Sequence, residues 1–275
     1  MNARSALFDV YGDHLRSRGG VAPVASLLRL LAPLGIAAPA VRTAVSRMVR
    51  QGWLTPARVA GAQGYALTGR ATRRLDDAAA RVYRTRDDTW DGTWHLLVVT
   101  PPGTRSARDR VRAALSFLGY GPLDDTSWVS PRAHPEVDQL LASEGARPER
   151  FTARHDGDSG ALISRAWDLE SLARSYLHFL DDAQLYIADS DGTDRGAFVA
   201  RTLLVHEWRK FLFSDPALPP ALLPPDFPGT KAAAHFDVEA GRLLPAAARF
   251  VDACLAVRSE ADGPSDESLE DPESA

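Results

Sequence analysis

One segment near the amino end, residues 36–54, constrains the fold more than any other part of the chain. On a helix turning 100° per residue, its apolar side chains fall on one side, namely Ala40, Val41, Ala44, Val45, Met48 and Val49. The opposite side has no carboxylate and carries Arg42, Thr43, Ser46, Arg47 and Arg50. Such a helix buries the first stripe and can present its guanidinium and hydroxyl groups to phosphates and base edges.

The flanking residues mark both ends of this helix and predict a helix-turn-helix. Pro39 suits the first helical turn, and Gly52 follows the last periodic residue, where a left-handed conformation is wanted. Upstream, residues 24–34 form a second short apolar pattern that ends at Gly35, which leaves a tight turn between the two helices.

The residues after this helix predict a wing. Residues 53–55 and 64–68 are typical of strands, and they are joined through Arg58 and a loop at 60–63. Helix, turn, helix and two-stranded hairpin together predict a winged helix-turn-helix. The alternative is that the arginine-rich face is only a solvated surface in an arginine-rich chain, which has thirty Arg and two Lys.

The charge distribution favours the DNA-binding interpretation. The whole chain has a formal net charge of −4, but residues 1–90 contain fourteen Arg and six Asp, a local charge of +8. The tail after Arg258 has seven acidic residues and no basic one, a local charge of −7. Positive charge is therefore concentrated around the predicted helix-turn-helix, as phosphate binding requires.

The rest of the chain predicts an α+β protein with a ferredoxin-like central domain and a mostly helical C-terminal domain. The central part alternates as strand, helix, strand, strand, helix, strand, with strands at 94–100, 123, 127–130 and 150–154 and helices at 106–118 and 136–143. Helices are expected at 169–185, 196–213 and 243–257, with a proline-rich connection between the last two. The predicted domains are a winged helix at 1–88, the central domain at 89–160, the helical domain at 161–258 and a disordered acidic tail at 259–275.

Composition and spacing argue against several functional classes. No apolar run is long enough to span a membrane, which takes about eighteen residues. The single cysteine, Cys254, cannot form an internal disulfide, so we expect a cytoplasmic protein. His206 lacks the second histidine of a zinc motif, and the cluster at 155–158 is interpreted as a solvated turn. No catalytic, metal or cofactor site is predicted.

Several blocks along the chain resemble the PaaX-type repressors, which control phenylacetic acid catabolism in bacteria. The matching blocks are residues 7–13, 18–20, 40–54, 90–94, 119–123, 128–131, 206–212, 215–219 and 222–224. The resemblance implies a homodimeric winged-helix regulator that binds double-stranded operator DNA and is released by an aryl-acyl-coenzyme A such as phenylacetyl-CoA. It also implies a central domain similar to the small nucleases of CRISPR adaptation, although residues 94–100 contain no acidic metal ligand. The open edge of that sheet is a candidate surface for pairing with a second copy.

Carried over to this sequence, the recognition-helix face comprises Arg42, Thr43, Ser46 and Arg47. Arg50 is assigned to phosphates and Arg58 to the wing, whereas Arg70, Arg73 and Arg74 either neutralise phosphates or stay solvated.

The effector site is predicted more loosely than the DNA site. We expect His206, Arg209 and Lys210 to bind the phosphates of coenzyme A. We expect Trp167, Tyr176 and Trp208 to flank an aryl group. Two alternatives stay open. The aromatic rings can instead fill a helical core while the charges pair with Glu207 or Asp181, and the chain can be an acyl-CoA-binding protein or enzyme whose winged helix serves protein contacts.

Overall fold

The computed structural model describes residues 1–83 and 89–256. The predicted acidic tail and the end of the predicted first domain lie outside these ranges. The described chain forms two compact units. Of the described residues, unit 1 comprises those in Met1–Leu75, Gly192–Thr202 and 244–256, and unit 2 comprises those in Asp76–Asp191 and Leu203–Leu243.

Unit 1 contains the predicted winged helix. Up to residue 75, its regular elements in chain order are α1 (Ala3–Asp9), β1 (Val21–Pro23), α2 (Val24–Leu31), α3 (Ala38–Arg50), β2 (Leu54–Val59), β3 (Ala62–Leu67) and the first half of α4 (Gly69–Val82). A π-helical segment, Val10–Leu15, continues α1. The sheet order is β1-β3-β2, with both pairs antiparallel.

Strand β1 was not predicted from the sequence. Its pairing with β3 explains why residue 64 of the hairpin is a glycine. Pro23 lies opposite Gly64 in the β1–β3 register. A Cβ atom on Gly64 would lie 2.5 Å from the carbonyl oxygen of Ala22, so only glycine allows the two strands to approach this closely.

The hydrophobic core of unit 1 includes residues from both ends of the chain. Leu7, Tyr11, Leu30 and Met48 are fully buried, and they share this core with Phe198 of α9 and with Ala247, Val251 and Cys254 of α11. Segments of the C-terminal part therefore complete the core beneath the winged helix, which the predicted boundaries at 88 and 161 do not anticipate.

A buried polar network joins the N-terminal helix of unit 1 to α9. Arg201 donates two hydrogen bonds to the carboxylate of Asp13, at 2.8 and 2.7 Å, and both side chains are about 5% exposed or less. The His14 Nε2 lies 3.0 Å from the Thr202 hydroxyl. Burial lowers the pKa of His14, so the imidazole is neutral at pH 7.

Unit 2 contains the predicted ferredoxin-like domain. Its elements are β4 (Trp94–Thr100), α5 (Arg105–Phe117), β5 (Gly121–Pro122), β6 (Ser127–Ser130), α6 (Val137–Ser143) and β7 (Arg147–Ala153). The antiparallel sheet has the order β5-β6-β4-β7, as a split pair of βαβ units requires. The predicted α+β class is confirmed, with β5 preceding the strand expected at residue 123.

The remaining helices are α7 (Ser159–Ala166), α8 (Leu169–Ala188), α9 (Asp194–Trp208), α10 (Phe211–Ser214) and α11 (Pro228–Ala256). Helix α7 was not predicted, and the helix expected at 196–213 is interrupted after Trp208. Helix α11 begins fifteen residues before the predicted 243 and contains Pro245 in its interior. Helices α9 and α11 contribute residues to both units. Among the described residues, no helix is both long enough and apolar enough to cross a membrane.

Candidate nucleic-acid interface

Helix α3 has the two faces that its sequence predicts. Val41, Ala44, Val45 and Met48 are buried, with exposures between 0 and 6%. Ala40 is exposed and Val49 only partly buried, contrary to the predicted stripe. Both residues lie about 90° from the centre of the buried arc, at its margins.

The opposite face of α3 is exposed at every predicted DNA-binding position, and these are Arg42, Thr43, Ser46, Arg47 and Arg50. The Thr43 hydroxyl donates to the Pro39 carbonyl at 2.9 Å, which fixes its orientation and leaves its oxygen able to accept a hydrogen bond.

The three arginines of this face share one property that bears on their function. Within residues 1–83 and 89–256, the guanidinium groups of Arg42, Arg47 and Arg50 make no hydrogen bond and no ion pair. Their donors are therefore available to a guanine edge or to phosphate oxygens.

The ends of α3 hold this face in place. Pro39 lies in the first turn, as predicted. At the other end Gly52 has a φ of +70°, and the Trp53 N–H donates to the Met48 carbonyl at 2.9 Å while the Gly52 N–H donates to the Val49 carbonyl at 3.0 Å. These two bonds form a Schellman motif, which ends the helix and turns the chain directly into β2.

The wing is tighter than the predicted loop at 60–63. Strands β2 and β3 are joined by Ala60 and Gly61 alone, which have φ values of +48° and +85°. Positive φ at both central residues is characteristic of a type I′ turn. Arg58 is exposed beside this turn, and its guanidinium donates to the Gly61 carbonyl at 3.2 Å.

Gln63 belongs to the wing surface, although sequence reasoning placed it in a loop. It pairs with Arg58 in the β2–β3 register and is exposed. The dipeptide Ala60-Gly61 was the available signal, since a glycine between two strand-like runs favours a two-residue turn. Arg70 lies with its guanidinium carbon 5.8 Å from the centroid of the Trp53 ring, whereas Arg73 and Arg74 are exposed.

Contacts of α1 anchor the wing to the helices behind it. The Tyr11 hydroxyl donates to the Tyr65 carbonyl of β3 at 2.9 Å, and burial raises the pKa of that phenol. Phe8 packs edge-on against Trp53 with ring centroids 4.8 Å apart. The wing and α3 are thus held to one helix, α1, which fixes their relative position within unit 1.

The predicted effector residues lie in unit 2, and the structure does not gather them around one opening. Tyr176 and Trp208 are 3% and 6% exposed, and they belong to an aromatic core with Phe179, Phe211 and Phe236. The Trp208 indole donates to the Val82 carbonyl at 3.0 Å. Trp167 instead stacks against Trp94 with ring centroids 6.3 Å apart.

The predicted effector cations also have partners. Lys210 donates to both carboxylate oxygens of Glu207 at 2.6 Å, and Arg209 lies 3.2 Å from the Nδ1 of His206. Arg209 and Lys210 follow the end of α9 instead of lying on it. This arrangement corresponds to the alternative in which the charges are engaged within the protein.

Comparisons with known proteins agree with this architecture. Three family profiles match successive parts of the chain: PaaX-like protein at residues 2–71, PaaX protein central Cas2-like domain at 87–161, and PaaX-like protein C-terminal domain at 167–253. The Transcriptional repressor PaaX of Escherichia coli (strain K12) is 29% identical over 264 residues, covering 91% of this chain and 83% of the relative. A solved structure, the uncharacterized protein Rv0674 from Mycobacterium tuberculosis, has a TM-score of 0.61 at 28% identity and covers 92% of this chain and 98% of its own.

The resemblance inferred from the sequence blocks is confirmed by these matches, which span the winged helix, the central domain and the helical part. The family is one of regulators without enzymatic activity, in agreement with the absence of a predicted catalytic site. The chain belongs to the PaaX-like family of transcriptional regulators.

Proposed function

We propose that the chain is a cytoplasmic, homodimeric repressor that binds operator DNA and is released by an acyl-coenzyme A effector. The observation that carries the DNA-binding part is the exposed face of α3, where Arg42, Arg47 and Arg50 have no partner within the described residues. Helix α3 enters the major groove in this proposal, and the hairpin with Arg58 and Gln63 lies against the flanking backbone. A dimer would read two half-sites related by a two-fold axis.

The test of DNA binding is the salt dependence of affinity for a duplex from the promoter region of the protein's own gene. A protein that neutralises several phosphates loses affinity linearly on a logarithmic salt scale, with a slope of about −0.9 per phosphate contact. We expect this slope to be steeper than about −3. We also expect tighter binding to the promoter duplex than to a scrambled one. A winged helix that serves only protein contacts would show neither preference nor slope.

The effector part is tested in the same gel shift by adding phenylacetyl-CoA, free coenzyme A and phenylacetate separately. Release by the thioester alone supports an acyl-CoA effector of the phenylacetate type. Support for this effector comes from the sequence blocks shared with the PaaX-type repressors. Release by none of the three compounds contradicts the effector part and leaves DNA binding unaffected.

A further inference from the structure

In unit 2, residues of helices α8 and α11 line an open groove of about 460 Å³. Each helix contributes four residues at positions i, i+3, i+4 and i+7, so that one face of each helix lines the groove. They are Leu177, Leu180, Asp181 and Gln184 from α8 and Lys231, Ala234, His235 and Val238 from α11. This volume is within the range of small-molecule sites, roughly 300 to 1,000 Å³.

The groove is apolar where a surface helix is normally polar. The side chains of Leu177 and Val238 are 53% and 65% exposed, and they are among the largest exposed hydrophobic residues of the described chain. Leu180 is half-buried and packs against the aromatic core of Tyr176, Phe179 and Trp208 beneath the groove. Covering these side chains would stabilise a complex by removing apolar surface from water.

One residue that lines the groove, His235, is partly buried and has a ring nitrogen without a partner. The Nε2 atom of His235 is buried and has no hydrogen-bond partner within the part of the chain that the structure describes. A buried polar group without a partner is unfavourable, so such atoms are rare in native proteins. If the His235 ring turns toward the groove, a ligand group can bond to this nitrogen and remove that cost.

Two charged groups at the groove are unpaired as well. Lys231 is one of the chain's two lysines, and the other, Lys210, is held by Glu207. Neither Lys231 nor Asp181 makes an ion pair or a hydrogen bond within residues 1–83 and 89–256. Lys231 also lies at the start of α11, where the helix dipole favours an anion.

From these observations we infer that the α8–α11 groove binds an anionic ligand that has an aryl or acyl body and an N–H donor. The body covers Leu177, Leu180 and Val238, the anion contacts Lys231, and the N–H donates to Asp181. The His235 ring turns toward the groove, and its Nε2 then bonds to a carbonyl or other polar group of the ligand. The inference rests on the proposed function, because an acyl-coenzyme A has an acyl group, amide N–H groups and phosphates.

Helix α11 both lines the groove in unit 2 and contributes residues to unit 1. The same helix lines the groove with residues 231–238 and contributes Ala247, Val251 and Cys254 to the core of unit 1. Arg29 of α2, the first helix of the helix-turn-helix, donates to the Cys254 carbonyl at 3.0 Å.

Two ligands test this site in the full chain. The first is 8-anilinonaphthalene-1-sulfonate, which has an aryl body, an amine N–H and a sulfonate, and its fluorescence reports binding without any effector being known. The second is phenylacetyl-CoA, measured by titration calorimetry. We expect Lys231→Gln and Leu177→Gln each to weaken binding of both ligands by at least about tenfold, or 1.4 kcal/mol. His235→Phe should weaken phenylacetyl-CoA binding by several-fold.

Two matched controls change the same residue types outside the groove. Lys210→Gln removes the lysine paired with Glu207, and Leu185→Gln changes a leucine of α8 that is 61% exposed and lies outside the groove. Both controls should bind the two ligands within twofold of the unaltered chain. Unchanged affinity in Lys231→Gln and Leu177→Gln would overturn the site, and loss of binding in Lys210→Gln alone would favour the residues around His206 instead.

Measurements of DNA binding distinguish a failure of this inference from a failure of the proposed function. Gel shifts without ligand should be the same for the groove variants and the unaltered chain, because the exposed face of α3 is intact in all of them. If the unaltered chain fails to bind its promoter duplex, the proposed function is wrong, yet the fluorescence titrations still decide whether the groove is a site. If DNA binding is normal and the groove variants release DNA with phenylacetyl-CoA as the unaltered chain does, the groove inference is wrong.

Discussion

At the residue scale, the role of a cation depends on whether its donors are already engaged. Arg42 and Arg47 have no partner among the described residues, whereas Arg58 contacts the Gly61 carbonyl and Lys210 contacts Glu207. An engaged cation must give up its internal contact before it can bind a ligand. The unengaged arginines of α3 are therefore the better candidates for reading bases.

We predict that Arg42→Ala and Arg47→Ala each reduce the preference for the operator over a scrambled duplex. One bidentate arginine–guanine contact is worth about 1 to 3 kcal/mol of discrimination, or roughly 5- to 150-fold in the affinity ratio. Competition gel shifts measure this ratio. Thermal unfolding should not change, because both side chains are exposed. Arg105→Ala, at an exposed arginine of α5 in unit 2, is the charge-matched control, and an equal loss of preference there would contradict the assignment.

We also predict that Arg201→Ala strongly destabilises the protein. The substitution leaves the Asp13 carboxylate buried without the guanidinium that now donates to both of its oxygens. Removing one partner of a buried pair costs about 3 to 5 kcal/mol. Urea unfolding measures the loss, and Arg174→Ala, which breaks the exposed pair with Glu170, should cost no more than about 1 kcal/mol. Similar losses in the two variants would show that burial of the Asp13–Arg201 pair is unimportant.

At the element scale, the prediction succeeded where a local pattern determines both the element and its ends. Helix α3 has its proline and its terminal glycine where they were expected, and four of the six residues of its predicted apolar stripe are buried. The prediction was wrong about the start of α11, expected at 243, because this helix has 29 residues and contains Pro245 in its interior, where a proline normally interrupts a helix. It also missed β1, because three residues are too few to show a period and the strand exists only through its pairing with β3.

Two glycine-to-alanine substitutions, one in the Schellman motif of α3 and one inside α11, are predicted to change the free energy of unfolding in opposite directions. Gly52→Ala should destabilise the protein by about 1 to 2 kcal/mol, because an L-residue is strained at a φ of +70°. Gly241→Ala, in the exposed interior of α11 with open space around its Cβ position, should stabilise it by about 0.5 to 1 kcal/mol. Chemical denaturation of the two variants checks both signs. A Gly52→Ala variant as stable as the unaltered chain would argue against strain at this position.

At the scale of the whole molecule, opposite charges are separated along the sequence. Residues 1–90 carry +8 and the residues after Arg258 carry −7, so the mild overall charge of −4 hides a basic DNA-binding part. The acidic residues repel the phosphates that the basic part attracts. Net charge and its distribution affect the rate at which a protein meets DNA more than they affect its fold.

We predict that a chain ending at Arg258 associates with DNA faster at low salt. Its net charge rises from −4 to +3, since seven acidic residues are lost. Electrostatic steering should then increase the association rate roughly tenfold, and the difference should shrink as salt screens the charges. Stopped-flow association at several salt concentrations measures this effect. A full-length chain with the seven acids replaced by Asn and Gln is the control, and it should be as fast as the shortened chain. Equal rates in all three proteins would exclude an electrostatic role for the tail.

Residues that are neighbours in sequence were enough to predict much of this protein's structure and its family without its tertiary structure. The period of 3.6 residues and the residues at the helix ends identified α3, its two faces and the adjoining wing, because these features depend on neighbours in sequence. The family followed from blocks of residues that lie close together along the chain.

Only the tertiary structure decided which distant segments cover each face. His14 meets Thr202 across 188 residues, Phe198 and Val251 complete the core of the winged helix, and Tyr176 and Trp208 are buried while Leu177 is exposed. A periodic pattern shows that a helix has an apolar face, but it does not identify the element that packs there. Which of these side chains are buried was therefore beyond local reasoning, since burial of an aromatic ring is determined by contacts from remote parts of the chain.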